Sequence, residues 1–387
     1  MILLLSGFFA LLAGCRKDKC DEPPKSARRT VIVYLGTDNN FRNEAAEKIE
    51  ILRNNRNSNI DGNLLVYADT GEKPVLVHIY NTKRRGAIAD TIETYSPENS
   101  ANPAIFTRVL NKARTYCPAA SYGLVVLSHA TGWLPAGMSN PIGLKSVILD
   151  ASTGETDNYM ELSDFADAIP YKLDFIIFDA CFMGAIEVCY ELKDKADYIV
   201  ASPAEALSPG FVYSTMMQHL FAPEPDLTAV ARDFYEYYDS KTNTWDPWWQ
   251  RSATVSVVKT AELDELVTVV RDITQNNALS DDLENIQTFG FGAQKIYFDL
   301  KDYLLKCSPE NQNVIQAAFD QCVTYKACTP SYYTAAIPNG MQPIESFCGL
   351  TVYIPQTEYP QANEAYFALK WAKQFSVFSG QFSATHH

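Results

Sequence analysis

Short apolar runs rich in β-branched residues recur along this chain, and stretches with helical periodicity separate several of them. The runs occupy residues 30–35, 63–67, 75–80, 123–127, 147–149, 173–178, 198–201, 253–258 and 350–354. Most of them lack alternation with polar residues, as expected for strands that are buried on both faces. Strands that alternate with helices predict an α/β fold with a largely parallel central sheet and helices on both of its faces.

The helical patterns are distributed unevenly. They cover residues 44–54, 102–116, 161–169, 183–195, 227–238, 262–275 and 311–325. After about residue 260 the pattern becomes mainly helical. We therefore predict a main α/β domain over residues 30–259 and a smaller, mainly helical carboxy-terminal region over residues 260–387 that completes the fold.

The charge of the chain argues against a nucleic-acid partner. The 387 residues include 46 acidic and 32 basic side chains, which gives a formal net charge of −14, and no basic cluster stands out. Neutralising phosphates requires a concentrated basic face. We expect the weakly acidic surface to serve mainly solubility.

The amino-terminal segment has the pattern of an export signal. Residues 1–14 are almost wholly apolar, too short to span a bilayer but suited to a signal peptide. Residues 12–15 (LAGC) resemble a bacterial lipobox, although no Lys or Arg precedes the apolar run. We predict a lipoprotein signal peptide over residues 1–14, lipidation of Cys15 and a polar tether over residues 15–29. The protein would then be exported and anchored by lipid to a bacterial membrane, at its periplasmic face or at the cell surface.

Two of the predicted strands lead into residues that can perform catalysis. Residues 123–127 are followed by His129, and residues 173–178 are followed by Cys181. In an open parallel sheet the carboxyl ends of the strands share one edge, where ligands and chemistry collect. We therefore expect His129 and Cys181, which are 52 residues apart in sequence, to lie within reach of each other.

Cys181 and His129 suit the roles of nucleophile and partner base. Cys181 precedes the predicted helix 183–195, and a helix amino terminus favours a thiolate and lowers the pKa of the thiol. An imidazole after a strand is well placed for proton transfer, and backbone amides near it and at Cys181 could stabilise an oxyanion. A buried cysteine more often packs as a small hydrophobic residue, as we expect of Cys189, so the pattern alone leaves a structural role open.

The other cysteines suggest disulfide bonds, because an exported protein meets oxidising conditions. If Cys15 is lipidated and Cys181 is catalytic, seven of the nine cysteines remain, so at least one has no partner within the chain. The seven are Cys20, Cys117, Cys189, Cys307, Cys322, Cys328 and Cys348. No C-x-x-C spacing occurs, and we predict no metal site.

Residues 129–133 (HATGW) and 179–184 (DACFMG) resemble two segments of the clostripain family of cysteine peptidases, relatives of caspases, gingipains and legumains. The histidine segment of that family reads roughly H-G-x-G-W, and the cysteine segment reads roughly D-x-C-x-M-G. Residues 30–40 are similar to the family's first strand and loop, and residues 349–355 resemble a late strand. With the predicted lipobox, the chain resembles a Bacteroidetes-type lipoprotein member of this family.

The resemblance implies a caspase-like α/β/α sandwich and a cysteine endopeptidase that acts on proteins or peptides. His129 and Cys181 would form a dyad, in which the Cys181 thiolate attacks the peptide carbonyl and His129 protonates the leaving amine. Water would then release the acyl group. No metal is needed for this chemistry, although calcium affects some relatives. No oligomeric state is implied.

The chain departs from the family pattern at two places. Ala130 replaces a glycine whose amide, with that of the cysteine, helps to form the oxyanion hole in relatives. Relatives that cleave after Arg or Lys carry acidic residues around the specificity pocket, where this chain offers Asp179 and Glu205 but has Pro203 at an expected acidic position. Cleavage after basic residues, a non-basic specificity and a catalytically silent binding lipoprotein therefore all remain open.

Self-cleavage has one good candidate site. Relatives are often cut after a basic residue between their histidine and cysteine segments, and this chain has only Lys145 and Lys172 there. Lys172 comes directly before a predicted strand, where a cut would damage the sheet. Lys145 follows a segment that we expect to be an exposed loop, so it is the predicted site.

Overall fold

The computed structural model describes residues 27–57, 60–135, 147–151, 159–242, 250–276, 283–290, 294–337 and 340–375. The predicted signal peptide, the lipidation site Cys15 and the cleavage site Lys145 lie outside these ranges. The first strand begins at Ala27, within the predicted tether. Among the helices of the described residues, none is both long enough and apolar enough to cross a membrane.

The described strands and helices alternate through much of the chain. The strands are β1 (Ala27–Gly36), β2 (Asn63–Asp69), β3 (Val75–Thr82), β4 (Gly86–Thr94), β5 (Ala119–Leu127), β6 (Ile148–Leu149), β7 (Tyr159–Met160), β8 (Leu173–Asp179), β9 (Ala196–Ala201), β10 (Thr254–Lys259), β11 (Phe298–Asp299), β12 (Val323–Cys328), β13 (Ser331–Tyr333), β14 (Met341–Pro343) and β15 (Thr351–Val352). The helices are α1 (Arg42–Asn54), α2 (Pro103–Tyr116), α3 (Leu162–Ala168), α4 (Ile186–Glu191), α5 (Tyr213–Leu220), α6 (Leu227–Asp239), α7 (Leu263–Asn276), α8 (Leu300–Cys307), α9 (Gln312–Cys322) and α10 (Pro360–Ala368).

The central sheet is mostly parallel, as the sequence predicts. Its nine strands follow the order β12-β10-β9-β8-β5-β1-β2-β3-β4. The five central strands, from β9 to β2, are parallel to their neighbours, whereas β3 and β4 at one side and β10 and β12 at the other are antiparallel. Parallel strands place their carboxyl ends at one edge of the sheet, which is where the two catalytic candidates emerge.

The sheet separates two apolar cores. Alternate residues of β1 point to opposite faces: Ile32 and Tyr34 pack into one core, and Val31 and Val33 pack into the other. Helices α2, α3, α4 and α7 to α10 contribute to the first core, and α1, α5 and α6 contribute to the second. The fold is therefore an α/β/α sandwich, and the carboxy-terminal helices complete one of its layers.

Two predicted helices differ from the structure. The helix predicted over residues 183–195 is reduced to α4, because tertiary hydrogen bonds hold the preceding backbone extended: the Gly184 amide donates to Ser202 O over 2.9 Å, and Gly184 O accepts from the Thr351 amide over 3.0 Å. The helix predicted over residues 311–325 ends at Cys322, after which β12 joins the sheet beside β10. Residues after 260 thus supply a strand of the central sheet as well as helices.

The cysteines of the described residues differ in burial. No disulfide bond joins the seven cysteines of the described ranges. Cys189 is buried within α4, as expected for a packing residue, whereas Cys181 keeps a partly accessible side chain.

Candidate active site

The sheet register brings the histidine loop and the cysteine loop together. Strands β5 and β8 are parallel neighbours, and Leu127 pairs with Asp179 at their carboxyl ends. His129 and Cys181 each follow this pair by two residues. Because neighbouring strands lie about 4.8 Å apart, the two loops begin side by side at the same edge of the sheet.

His129 is held by residues that follow the neighbouring strand β1. The His129 ring stacks on Phe41 with the ring centroids 4.2 Å apart, and its Nε2 lies 2.5 Å from Asn40 Oδ1. A carboxamide oxygen can only accept, so this contact assigns the proton to Nε2 and leaves Nδ1 as the proton acceptor. Burial lowers the pKa of His129 to about 4, so the imidazole is neutral at neutral pH.

The surroundings of Cys181 favour its thiol form over the thiolate. The Ala206 amide donates to Cys181 Sγ over 3.4 Å, and Sγ lies 3.7 Å from Ala206 O. Burial raises the pKa of Cys181 to about 12, and the carboxylates of Glu205 and Asp179 add to the rise while the Ala206 amide opposes it.

The sequence predicts a helix amino terminus that would lower the pKa of the Cys181 thiol. No helix begins at this thiol, because α4 starts only at Ile186. Both pKa shifts favour a neutral pair of thiol and imidazole over a thiolate–imidazolium pair.

The two loops contact each other directly behind the catalytic candidates. Phe182 has a φ of 60°, the one left-handed residue other than glycine in the described chain, and Gly132 has a φ of 67°. A Cβ atom at Gly132 would lie 2.7 Å from the carbonyl oxygen of Phe182. Tyr297 joins both loops, because its hydroxyl donates to Thr131 O and its ring stacks on Phe182 at 4.8 Å.

The backbone amides of Ala130 and Cys181 are suited to stabilise an oxyanion, whereas those of Phe182 and Gly184 are not. The amides of Phe182 and Gly184 donate to the carbonyl oxygens of Ala204 and Ser202. In contrast, the amides of Ala130 and Cys181 have no acceptor among the described residues. Donors left without a protein partner beside a nucleophile match the needs of a tetrahedral intermediate.

A small surface cleft opens beside Cys181. Its lining residues are Phe41, Glu44, Leu127, Ser128, Asp179, Ala180, Cys181, Ala206, Leu207, Ser208, Pro209 and Gly210. Two of these carry carboxylates, Glu44 and Asp179. Burial raises the pKa of Asp179 to about 6, and the nearby Lys48 ammonium limits the rise.

Of the two pocket acids suggested by the sequence, only Asp179 lines this cleft. Glu205 is buried beside it, where its carboxylate accepts from Thr334 Oγ1 over 2.5 Å and from the Ala335 amide over 3.2 Å. The Glu205 carboxylate therefore binds the segment after β13 and does not face the cleft.

Sequence reasoning missed Asn40, Glu44, Lys48 and Tyr297. The rule that found His129 also applies to Asn40, which follows the carboxyl end of β1, the strand next to β5. No local pattern marks Tyr297, because it reaches the site from a distant part of the chain. Within the described ranges, no group of three or more His, Cys, Asp and Glu side chains is arranged to hold a metal ion.

The mostly parallel sheet, with a histidine loop and a cysteine loop at one edge, places the protein among the caspase-like α/β/α sandwiches. The model of the clostripain family, peptidase family C11, matches residues 33–383. The chain therefore belongs to the clostripain family of cysteine peptidases, and the predicted family and fold are confirmed.

Three relatives illustrate this membership. Clostripain from Hathewaya histolytica is 24% identical in a 256-residue alignment that covers 57% of this chain and 48% of clostripain, so the match spans about half of that relative. An inactive zymogen of a C11 protease from Parabacteroides distasonis is 33% identical with a TM-score of 0.78, over 91% of this chain and 99% of the other. A secreted C11 cysteine protease from Bacteroides thetaiotaomicron, in complex with an irreversible peptide inhibitor, is 29% identical with a TM-score of 0.80, over 89% and 98%.

Proposed function

We propose that this protein is an endopeptidase that hydrolyses peptide bonds with Cys181 as nucleophile and His129 as general acid and base. The proposal rests chiefly on the parallel register of β5 and β8, which starts both loops from the paired residues Leu127 and Asp179. It is also supported by membership of a family of cysteine peptidases.

The proposed reaction proceeds in two stages. His129 Nδ1 takes the thiol proton while Cys181 Sγ bonds to the peptide carbonyl carbon, and the amides of Ala130 and Cys181 stabilise the oxyanion. The carbon–nitrogen bond then breaks as His129 passes its proton to the leaving amine, which leaves a thioester. Water attacks the thioester with His129 as base, and the acid product and the thiol are released. Asn40 acts as a positioning residue that fixes the His129 tautomer.

We infer that the side chain on the amino side of the scissile bond enters the cleft beside Cys181. Asp179 and Glu44 favour a Lys or Arg side chain there. A less basic specificity is favoured by two observations: Glu205 is bound to Thr334, and Lys48 lies close to the two cleft carboxylates.

Export, lipidation and self-cleavage complete the proposal. The similar protease from Bacteroides thetaiotaomicron is a secreted protein, which supports export of this chain. Anchoring through Cys15 rests on the lipobox-like LAGC segment. Cleavage after Lys145 rests on the sequence pattern and on the existence of a similar protein as an inactive zymogen.

The catalytic assignment is tested with a peptidyl acyloxymethyl ketone, which alkylates an active-site thiol, and with a fluorogenic peptide library. Wild type is expected to be labelled on Cys181 and to cleave peptides, whereas Cys181→Ala loses both properties. Cys189→Ala is the matched control, since that thiol is buried within α4. Peptide hydrolysis that persists in Cys181→Ala would falsify the mechanism, and an unlabelled, inactive wild type would favour a silent binding protein.

The same preparations test self-cleavage. Two fragments with a new amino terminus at Ser146, present in wild type and absent from Cys181→Ala, are expected. An intact wild-type chain that is nevertheless active would contradict cleavage at Lys145. Anchoring is tested separately by fractionation, where Cys15→Ser should leave the membrane fraction.

A further inference from the structure

Lys48 is a buried ammonium that the proposed reaction does not use. It lies on α1, one turn after Glu44, and only 3% of its surface is exposed. A lysine is almost never buried to this extent unless a partner compensates its charge. The groups around Lys48 therefore show which negative charges compensate its ammonium.

The Lys48 ammonium lies directly behind the cleft beside Cys181. It donates to the carbonyl oxygen of Pro209 and lies 4.4 Å from the centroid of the Tyr213 ring. Its Nζ is 3.9 Å from Glu44 Oε2, and its charge acts on Asp179 at the end of β8. Pro209, Glu44 and Asp179 all line the cleft.

The charges around the cleft are thus two carboxylates and one ammonium. Glu44 is fixed by a 2.6 Å hydrogen bond from Ser208 Oγ, and Asp179 accepts from the Phe211 amide over 3.3 Å. Neither carboxylate can swing away from Lys48 without losing its own bond. A basic substrate side chain that enters the cleft would have to share these carboxylates with a cation that is already in place, where water screens poorly.

We propose that Lys48 is a specificity-determining residue: it neutralises part of the acidic cleft beside Cys181, reduces the preference for Lys or Arg, and lets uncharged side chains compete. This inference rests on the proposed peptidase function and adds to it a residue outside the substrate contact. A purely structural Lys48 would affect stability and leave the choice of substrate unchanged.

The test compares two peptides that differ only at the residue before the scissile bond, which is Lys in one and norleucine in the other. Norleucine keeps the four-carbon chain and lacks the ammonium, so the ratio of the two kcat/KM values measures the charge preference. In Lys48→Met the ratio is expected to rise by about tenfold, with kcat/KM for the norleucine peptide near the wild-type value. Titration with the acyloxymethyl ketone counts the active sites in each preparation.

Lys112→Met is the matched control. Lys112 lies on α2, is 43% exposed in its side chain and pairs with Glu93 over 2.6 Å, so the substitution changes the net charge equally at a distance from the cleft. Its ratio should equal that of wild type. Lys48→Gln is a second neutral variant that can still donate to Pro209 O, and it covers the case in which Lys48→Met does not fold.

Glu44→Gln completes a double-mutant cycle. It is expected to lower the ratio, and the double variant Glu44→Gln/Lys48→Met should return it towards wild type. A ratio that stays unchanged in a folded Lys48 variant, or that rises equally in Lys112→Met, overturns the inference. If wild type cleaves neither peptide and reacts with no ketone probe, the proposed peptidase function fails instead, so the two failures are distinguishable.

Discussion

The hydroxyl of Tyr297 donates to the carbonyl oxygen of Thr131, and so ties the histidine loop to a residue 166 positions later in the chain. The ring of the same tyrosine stacks on Phe182, the residue after Cys181. One side chain therefore fixes both loops relative to each other. The carboxy-terminal part of the chain is in this way a component of the candidate active site.

Tyr297→Phe is expected to lower kcat about tenfold or more with little change in KM, because the stacking survives while the histidine loop loses its anchor. The lost hydrogen bond should lower the free energy of unfolding by about 1 kcal/mol. Tyr34→Phe is the control, since Tyr34 is equally buried and its hydroxyl donates to Ser100 O over 2.7 Å on another part of the sheet. Steady-state kinetics and urea unfolding of both variants check this. Equal kcat losses in the two variants would show that Tyr297 acts through general stability alone.

Gly132→Ala should inactivate the protein. The φ of 67° already disfavours alanine by about 1 to 2 kcal/mol, and the new Cβ would press against Phe182 O and separate the loops. Gly86→Ala isolates the backbone cost, because Gly86 has a φ of 69° and nothing within 4 Å of its Cβ position. We expect loss of ketone labelling in Gly132→Ala and normal labelling in Gly86→Ala. Normal labelling of both variants would mean that the loops tolerate separation.

Asn40→Asp should shift the acidic limb of the pH profile. The carboxylate can accept the same hydrogen bond from His129 Nε2, and its negative charge favours the imidazolium. The pKa of His129, about 4 in the wild type, should then rise by about 1 to 2 pH units, so activity is lost at a higher pH on acidification. Plots of kcat/KM against pH measure the shift, and Asn40→Ala should lower kcat without such a displacement. If the acidic limb does not move in Asn40→Asp, then Asn40 does not contact His129 in solution.

Much of the site follows from local sequence. His129 and Cys181 come directly after apolar runs that become adjacent parallel strands, and a sheet edge is a reliable meeting point for such residues. The sequence could not show that Gly184 bonds to Ser202 and Thr351, contacts that delay the start of α4 and deprive Cys181 of a helix dipole. These contacts depend on tertiary pairing, which overrides the helical propensity of residues 183–195.

The charges of the cleft were harder to predict for a related reason. The charge of Lys48 alone would predict exposure, although its spacing places it on the same face of α1 as the buried Ala45 and Leu52. The structure buries it between Glu44 and Tyr213. Glu205 lies 24 residues after Cys181 in the sequence, yet its carboxylate binds Thr334, more than a hundred residues later. Single-residue burial of this kind depends on the assembled fold.

The stability of the protein should depend on the protonation of Glu187. This carboxyl is fully buried in α4, accepts from the Tyr353 amide over 2.7 Å, and has its pKa raised from 4.5 to about 8 by burial. It is thus protonated at pH 7 in the folded chain and ionised in the unfolded chain, so the folded state binds this proton more tightly. The free energy of unfolding should therefore fall as the pH rises from about 4.5 to about 8.

Glu187→Gln keeps an acceptor oxygen for Tyr353 and stays neutral, so its stability should decline less over that range. Urea unfolding at pH 5 and pH 8 compares wild type, Glu187→Gln and Glu47→Gln, an exposed control on α1. Equal pH slopes for all three proteins would show that Glu187 is ionised in the folded state.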